Sequence, residues 1–161
     1  MHLLDTDVVW ALRYAQGEHL AQGFGAWVAD VAPASLFISV VTLMELEGGT
    51  ASIHRREKTM AANLRAWIDT QLRPAFDGRV LPIDAAVTKR WAHLAYAEPR
   101  DGLLAATALE QGFTLVTREP AAFKLGRVRT LNPWTYTPSS PDIAWDDSSL
   151  TGSLWLKSLF R

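Results

Sequence analysis

Apolar residues recur along this chain in two textures. Short β-rich runs are bounded by polar residues, and longer stretches repeat at helical spacing. Residues 2–6 form a short apolar run that gives way at once to Asp5-Thr6-Asp7, which predicts a strand and then a helix to about residue 16, stopping near Gly17. Across residues 18–31, Leu20, Phe24, Trp27, Val28 and Val31 keep helical spacing, and Pro33 ends the pattern. Residues 36–41 read as a second strand, with Thr42 opening a helix to about residue 52. The longest helix is expected over residues 55–75, where Met60, Leu64, Trp67, Ile68 and Leu72 make one apolar stripe that predicts core. A third strand follows at residues 79–83, and Asp84 is placed to cap a helix carrying Val87, Trp91 and Leu94 that breaks at Pro99. Residues 101–111 form a further helix closed by Gly112, and residues 113–117 and 128–131 are the last two strands. Strands alternating with helices predict an α/β fold with a mostly parallel sheet.

The texture changes after Trp134. Residues 135–149 are rich in Pro, Ser, Thr and Asp and read as a linker, whereas residues 150–160 turn apolar again. The expected organisation is therefore a domain over residues 1–134 and an extension over 135–161. A helix of eleven residues at 150–160 is too short to stand alone, so it is expected to dock on its own domain, on a dimer mate, or in a groove beside the acidic edge.

Composition narrows the class. At 161 residues, 48% hydrophobic and 20% charged, the chain has the make-up of one ordinary globular domain. It contains no cysteine, which excludes a disulfide scaffold. No apolar run approaches the ~20 residues of a membrane helix, and the start lacks a basic secretory n-region, so a cytoplasmic protein with no membrane association is expected. A net charge of −1, from 16 basic and 17 acidic residues, neither advertises nor excludes a nucleic-acid partner.

Candidate chemistry comes from where acids fall on this topology. In a parallel sheet, ligands bind outside the carboxyl ends of the strands. Asp5 ends the first strand, Glu45 follows the second, Asp101 begins the helix that runs down to the fourth, and Glu119 lies just beyond the fourth. Four carboxylates from distant segments thus share one edge. Like charges held together call for a hard cation such as Mg²⁺ or Mn²⁺, which can activate water and steady a phosphate. Simpler roles exist for each: Thr42-Leu-Met-Glu45 fits a capping box, Asp101 and Asp7 fit helix N-caps, and Glu119 before Pro120 fits an exposed loop.

Several segments are similar to one family. Leu3-Leu4-Asp5-Thr6-Asp7, the stretch from Ser39 through Glu45 to Gly49, Pro99-Arg100-Asp101-Gly102-Leu103, and Phe113 to Arg118 followed by Leu131-Asn132-Pro133-Trp134 resemble the PIN-domain ribonucleases, in particular the VapC-type toxins of toxin–antitoxin pairs. The resemblance covers residues 1–134 in order. It implies a PIN-like three-layer α/β/α sandwich, an endoribonuclease dependent on Mg²⁺ or Mn²⁺, a homodimer, and an antitoxin partner that blocks the site. It implies metal ligation by Asp5, Glu45 and Asp101 and a fourth acid near Thr117. Water would attack phosphorus and the 3′-oxygen would leave, giving a 5′-phosphate and a 3′-hydroxyl. Two departures stand out. Asp7 replaces a usual Asn, and Ala122 stands where many relatives have Asp, others having it at the position of Glu119, so the fourth ligand is either Glu119 or missing. Thr117, through its hydroxyl, and Arg100 and Arg118, beside proposed ligands, are the preferred substrate contacts, the two arginines to RNA phosphates.

Two other readings remain open on sequence. An apolar strand ending in Asp-x-Asp also begins haloacid-dehalogenase-type phosphohydrolases, with Asp5 as nucleophile and Asp7 as general acid/base; Val8-Val9 in place of Gly or Thr argues against it. A non-catalytic PIN-like module that binds nucleic acid or a partner draws support from the altered fourth position.

Overall fold

The structure is a computed structural model that describes residues 1–14 and 21–138. In chain order its elements are β1 (His2–Leu4), α1 (Thr6–Tyr14), α2 (Gln22–Asp30), β2 (Leu36–Ser39), α3 (Val40–His54), α4 (Lys58–Trp67), a π-helical turn (Ile68–Leu72), α5 (Arg73–Ala75), β3 (Val80–Leu81), α6 (Ala85–Trp91), α7 (Pro99–Gln111), β4 (Thr114–Val116) and β5 (Thr130–Leu131). The five strands pair in the order β3-β2-β1-β4-β5, and every pairing is parallel. Leu4 on the central strand lies opposite Ile38 on one side and Val116 on the other.

A central parallel strand is buried on both faces, which is why β1 is apolar at successive positions. Leu3 packs with Leu104, Ala105, Leu115 and Phe123 on one side of the sheet. Leu4 packs with Val8, Leu12, Phe24, Leu46 and Leu64 on the other. Two cores on opposite faces make the three-layer α/β/α sandwich expected from the sequence. The chain goes from β1 to β2 on one side and returns later to β4 on the other, so the strand order reverses at β1. A parallel sheet opens a crevice at such a reversal, above the carboxyl ends of its strands.

Element edges differ from the sequence expectation, with physical causes. The first strand stops at Leu4 because the Asp5 carbonyl already accepts from the Val8 and Val9 amides and starts α1. Helix α3 begins at Val40, not Thr42, because the Ser39 hydroxyl accepts from Val41 N at 3.2 Å as its cap; the Thr42 hydroxyl is buried and donates to the Leu4 carbonyl at 3.3 Å. Pro99 starts α7 at its first position rather than only ending the preceding helix, which has already closed at Trp91. The single helix expected over 55–75 is α4, the π turn and α5, while α3 runs on to His54. Asp84 does cap α6, accepting from Val87 N at 2.9 Å, and Gly112 closes α7 at φ 66°, a left-handed conformation that suits glycine.

Beyond Trp134 the chain stays on α2. Phe24 and Trp134 rings meet at 4.9 Å, and the Tyr136 hydroxyl donates to Asp30 Oδ2 at 3.0 Å. Gly23 permits this approach, since a Cβ there would lie 2.5 Å from the Trp134 carbonyl oxygen. The rest of the extension, including the helix expected at 150–160, lies outside the described residues. Among the described residues no helix is long and apolar enough to cross a membrane.

Candidate active site

Three helices, α1, α3 and α7, begin on the same edge of the sheet, so their positive N-terminal ends face the crevice above β1. Asp5 stands at its floor, one residue past the central strand and 4% exposed. A carboxylate so buried needs partners. Its Oδ1 accepts from Thr6 N at 2.7 Å and from Arg100 Nη2, and its Oδ2 accepts from the Thr117 hydroxyl at 2.8 Å.

Glu45 comes from the second turn of α3. The start of that helix at Val40 removes the capping-box role, and both carboxylate oxygens turn into the crevice. Oε2 accepts from the Thr6 hydroxyl and Oε1 from Arg100 Nε. Asp101 lies in the first turn of α7, two residues past Pro99, so Glu98 and not Asp101 holds the N-cap position. Asp101 Oδ1 accepts from Arg100 Nη1 at 2.6 Å. The crevice therefore brings Asp5, Glu45 and Asp101 together around one guanidinium. Partial burial disfavours the Arg100 charge, yet the Glu45 hydrogen bond and the charges of Asp5 and Glu45 outweigh it and hold its pKa above the ordinary arginine value.

Thr117 is fully buried at the end of β4. Its hydroxyl donates to Asp5 and accepts from Glu119 N at 3.1 Å, which ties the loop after β4 to the crevice floor. The far end of that loop is braced by Tyr96, whose hydroxyl donates to the Phe123 carbonyl and accepts from Gly126 N. Glu119 itself is exposed, and its carboxylate stays outside the ring of acids that meets Arg100. It acts on Asp7 through its charge. Partial burial, then the charges of Asp5 and Glu119, push the Asp7 carboxyl up against the pull of Arg100 and Arg118. Beside Asp7 opens a pocket of about 590 Å³, lined also by Trp10, Tyr14, Phe24, Arg118 and Trp134. The Arg118 guanidinium lies 5.1 Å from the centre of the Trp134 ring, a cation–π distance.

Thr6 was not singled out by sequence. Its hydroxyl bridges Glu45 to the strand end that carries Asp5, and a small hydroxyl residue directly after an acid at a strand-to-helix junction is the signal that could have found it. Arg100 was marked as a contact to phosphate, whereas here each of its three donor nitrogens is engaged by a carboxylate.

Comparison with known proteins bears on this crevice. The chain matches the PIN domain model over residues 2–127. It is 32% identical over 145 residues to plasmid stability protein StbB of Pseudomonas syringae pv. tomato, covering 83% of this chain and 99% of that protein. It is 30% identical over 142 residues to VapC ribonuclease Y4jK of Sinorhizobium fredii, covering 83% and 98%, and 31% identical over 143 residues to toxin FitB of Neisseria gonorrhoeae, covering 83% and 99%. The crystal structure of FitAcB from Neisseria gonorrhoeae superposes with a TM-score of 0.74 at 28% identity, covering 84% of this chain and 99% of that one. The strand order, the acidic crevice at its reversal and similarities that span nearly the whole length of each relative agree: the chain belongs to the PIN domain family.

Proposed function

We propose that this protein is a metal-dependent endoribonuclease acting as the cytoplasmic toxin of a toxin–antitoxin pair. The observation that carries the reading is the convergence of Asp5, Glu45 and Asp101, from three distant segments, on one cation at the crevice. The similarity to a VapC ribonuclease and to the FitB toxin supports the same chemistry.

The donor set consists of hard carboxylate oxygens already turned toward one positive charge, and it fits Mg²⁺ or Mn²⁺. Asp5, Glu45 and Asp101 would hold the ion, which when bound supplies Lewis acidity and an acidified water beside the phosphodiester. Thr117 and the Thr6 amide fix both oxygens of Asp5, and the Thr6 hydroxyl fixes Glu45, so the donors are positioned before the substrate arrives. Glu119, on the rim near Asp7, is the fourth acid. Arg118, and Arg100 once free of the carboxylates, bind RNA phosphates. Water attacks phosphorus, the bond to the 3′-oxygen breaks, and the products carry a 5′-phosphate and a 3′-hydroxyl.

Val40 and Met44, four residues apart on α3, remain exposed, which supports a homodimer in which a second copy covers them. The antitoxin is proposed from the resemblance to the VapC-type toxins. The test of the function is cleavage of a labelled RNA by the purified chain. Cuts that need Mg²⁺ or Mn²⁺, stop in chelator and leave 5′-phosphate ends support the reading; cyclic-phosphate ends, or cuts that persist in chelator, contradict it. The exposed position of Glu119, apart from the other acids, favours a second reading as a non-catalytic binding module, which predicts RNA binding without cleavage in the same assay.

A further inference from the structure

The three crevice carboxylates already enclose a cation, and that cation is part of the chain. Arg100 Nη2 meets Asp5, Nε meets Glu45 and Nη1 meets Asp101, so each donor nitrogen serves a different acid. A planar fork presents its donors from three separate nitrogens, so acids spread around it each take a different one. Three acids share one positive charge, and the cluster keeps a negative excess. A guanidinium is also much larger than a metal ion, which draws oxygens to about 2.0–2.1 Å for Mg²⁺. Carboxylates spread around the larger cation must draw in to meet one small ion, and with Arg100 between them no group of three acids or imidazoles among the described residues stands as a closed metal-binding set.

The two sides of this ring differ in freedom. The Arg100 side chain is 30% exposed and can leave toward solvent without crossing the core, whereas the Asp5 side chain is 6% exposed and stays. When the guanidinium leaves, Asp5 keeps the Thr6 amide and the Thr117 hydroxyl, and Glu45 keeps the Thr6 hydroxyl. The acids remain placed for another cation.

We propose that Arg100 is the resident counter-cation of the site: its guanidinium and a divalent metal ion are alternative occupants of the Asp5, Glu45 and Asp101 carboxylates. The inference rests on the metal-site reading above. Arg100 keeps like charges from repelling one another in the metal-free protein, and metal affinity is lowered by the work of displacing it. A doubly charged ion neutralises more of the cluster than the guanidinium does, so loading goes forward once the ion is abundant.

The test is Mn²⁺ binding to the full chain by calorimetry, with melting temperature measured with and without Mn²⁺. Arg100→Met should bind Mn²⁺ about ten-fold more tightly than the parent, equivalent to about 1.4 kcal/mol. It should melt lower without metal and recover with it. Arg118→Met removes a cation from the same edge outside the ring and should keep the parent's affinity; Asp5→Asn should abolish binding. Arg100→Lys, which keeps the charge, should fall between parent and Arg100→Met, and it carries the test if the methionine variant does not fold. Equal Mn²⁺ affinity in the parent and in the Arg100 variants, with binding still lost in Asp5→Asn, overturns the exchange and leaves the metal site standing. Equal tightening by Arg118→Met overturns it as a general charge effect, and weaker binding by Arg100→Met overturns it outright. Failure of the parent and both Arg100 variants to bind Mn²⁺ overturns the exchange together with the metal reading.

Discussion

Thr117→Val isolates the hydroxyl that ties the crevice floor to the loop after β4. Valine matches threonine in shape, and Thr117 is 1% exposed, so packing is kept while two hydrogen bonds are lost. One is the donation to Asp5 Oδ2 at 2.8 Å, the other the acceptance from Glu119 N at 3.1 Å. A hydrogen bond to a charged group contributes about 1.5–3 kcal/mol, and the Glu119 amide is open enough for water to replace much of the second. The expected loss is therefore about 2–3 kcal/mol. At about 2–4 °C per kcal/mol for a chain of this size, the melting temperature should fall by roughly 4–12 °C. Thr117→Ser keeps the hydroxyl and removes one buried methyl group, at about 1 kcal/mol. Urea unfolding and RNA cleavage on both variants give the comparison. The valine variant should lose more stability than the serine variant, and cleavage should fall further still, because Asp5 loses the anchor of one oxygen. A valine variant as stable as the serine variant, with cleavage intact, would refute the positioning role of Thr117.

Glu119→Gln should raise the Mg²⁺ concentration needed for half-maximal cleavage several-fold, and an unshifted metal titration would remove Glu119 from the site. Gly23→Ala places a Cβ 2.5 Å from the Trp134 carbonyl oxygen and 3.0 Å from Tyr136 N, both backbone atoms that cannot rotate away. Thermal unfolding should show a loss of about 1–3 kcal/mol as residues 134–136 lift from α2, and an unchanged melting temperature would mean that this segment is not held there. His2 Nδ1 is buried without a partner among the described residues, and burial followed by the charge of the N-terminal amine holds the His2 pKa below 6.5. The unfolded chain then takes up a proton near pH 6.5 that the folded chain refuses. The His2 contribution is therefore full above that pH and declines as pH falls from 6.5 toward the depressed folded value. His2→Leu should flatten the acid-side slope relative to the parent, and parallel slopes would contradict this.

Asp5 was legible by itself, because it follows a strand in which Asp is unfavourable. Glu45 and Asp101 each fitted a capping role on sequence, and only the helix starts at Val40 and Pro99 remove those roles. The alternation of elements then placed all three on one edge. What the sequence did not disclose was pairwise contact. Arg100 is 95 residues from Asp5 and 55 from Glu45, and no local spacing marks it as their shared partner. Helix starts were misread where a local cap overrides propensity: Val40 and Val41 look like strand, yet Ser39 turns them into the first turn of α3. The break in the long apolar stripe at 60–72 was also hidden, since a π turn keeps Ile68 and Leu72 in the core without changing the residue types that fill it.

Cleavage is assigned to the carboxylate ring of Asp5, Glu45 and Asp101. Asp101→Asn tests it most directly, because the side chain keeps its shape in the first turn of α7 and an oxygen for Arg100 while losing its charge. Parent and variant should be compared on one labelled RNA at saturating Mg²⁺, with circular dichroism and thermal melting on the same samples. An intact fold and a cleavage rate at least about 100-fold lower are expected, since disturbing even the outer partners of metal ligands costs about 10–100-fold. A folded Asp101→Asn protein that cuts RNA at the parent's rate would contradict it.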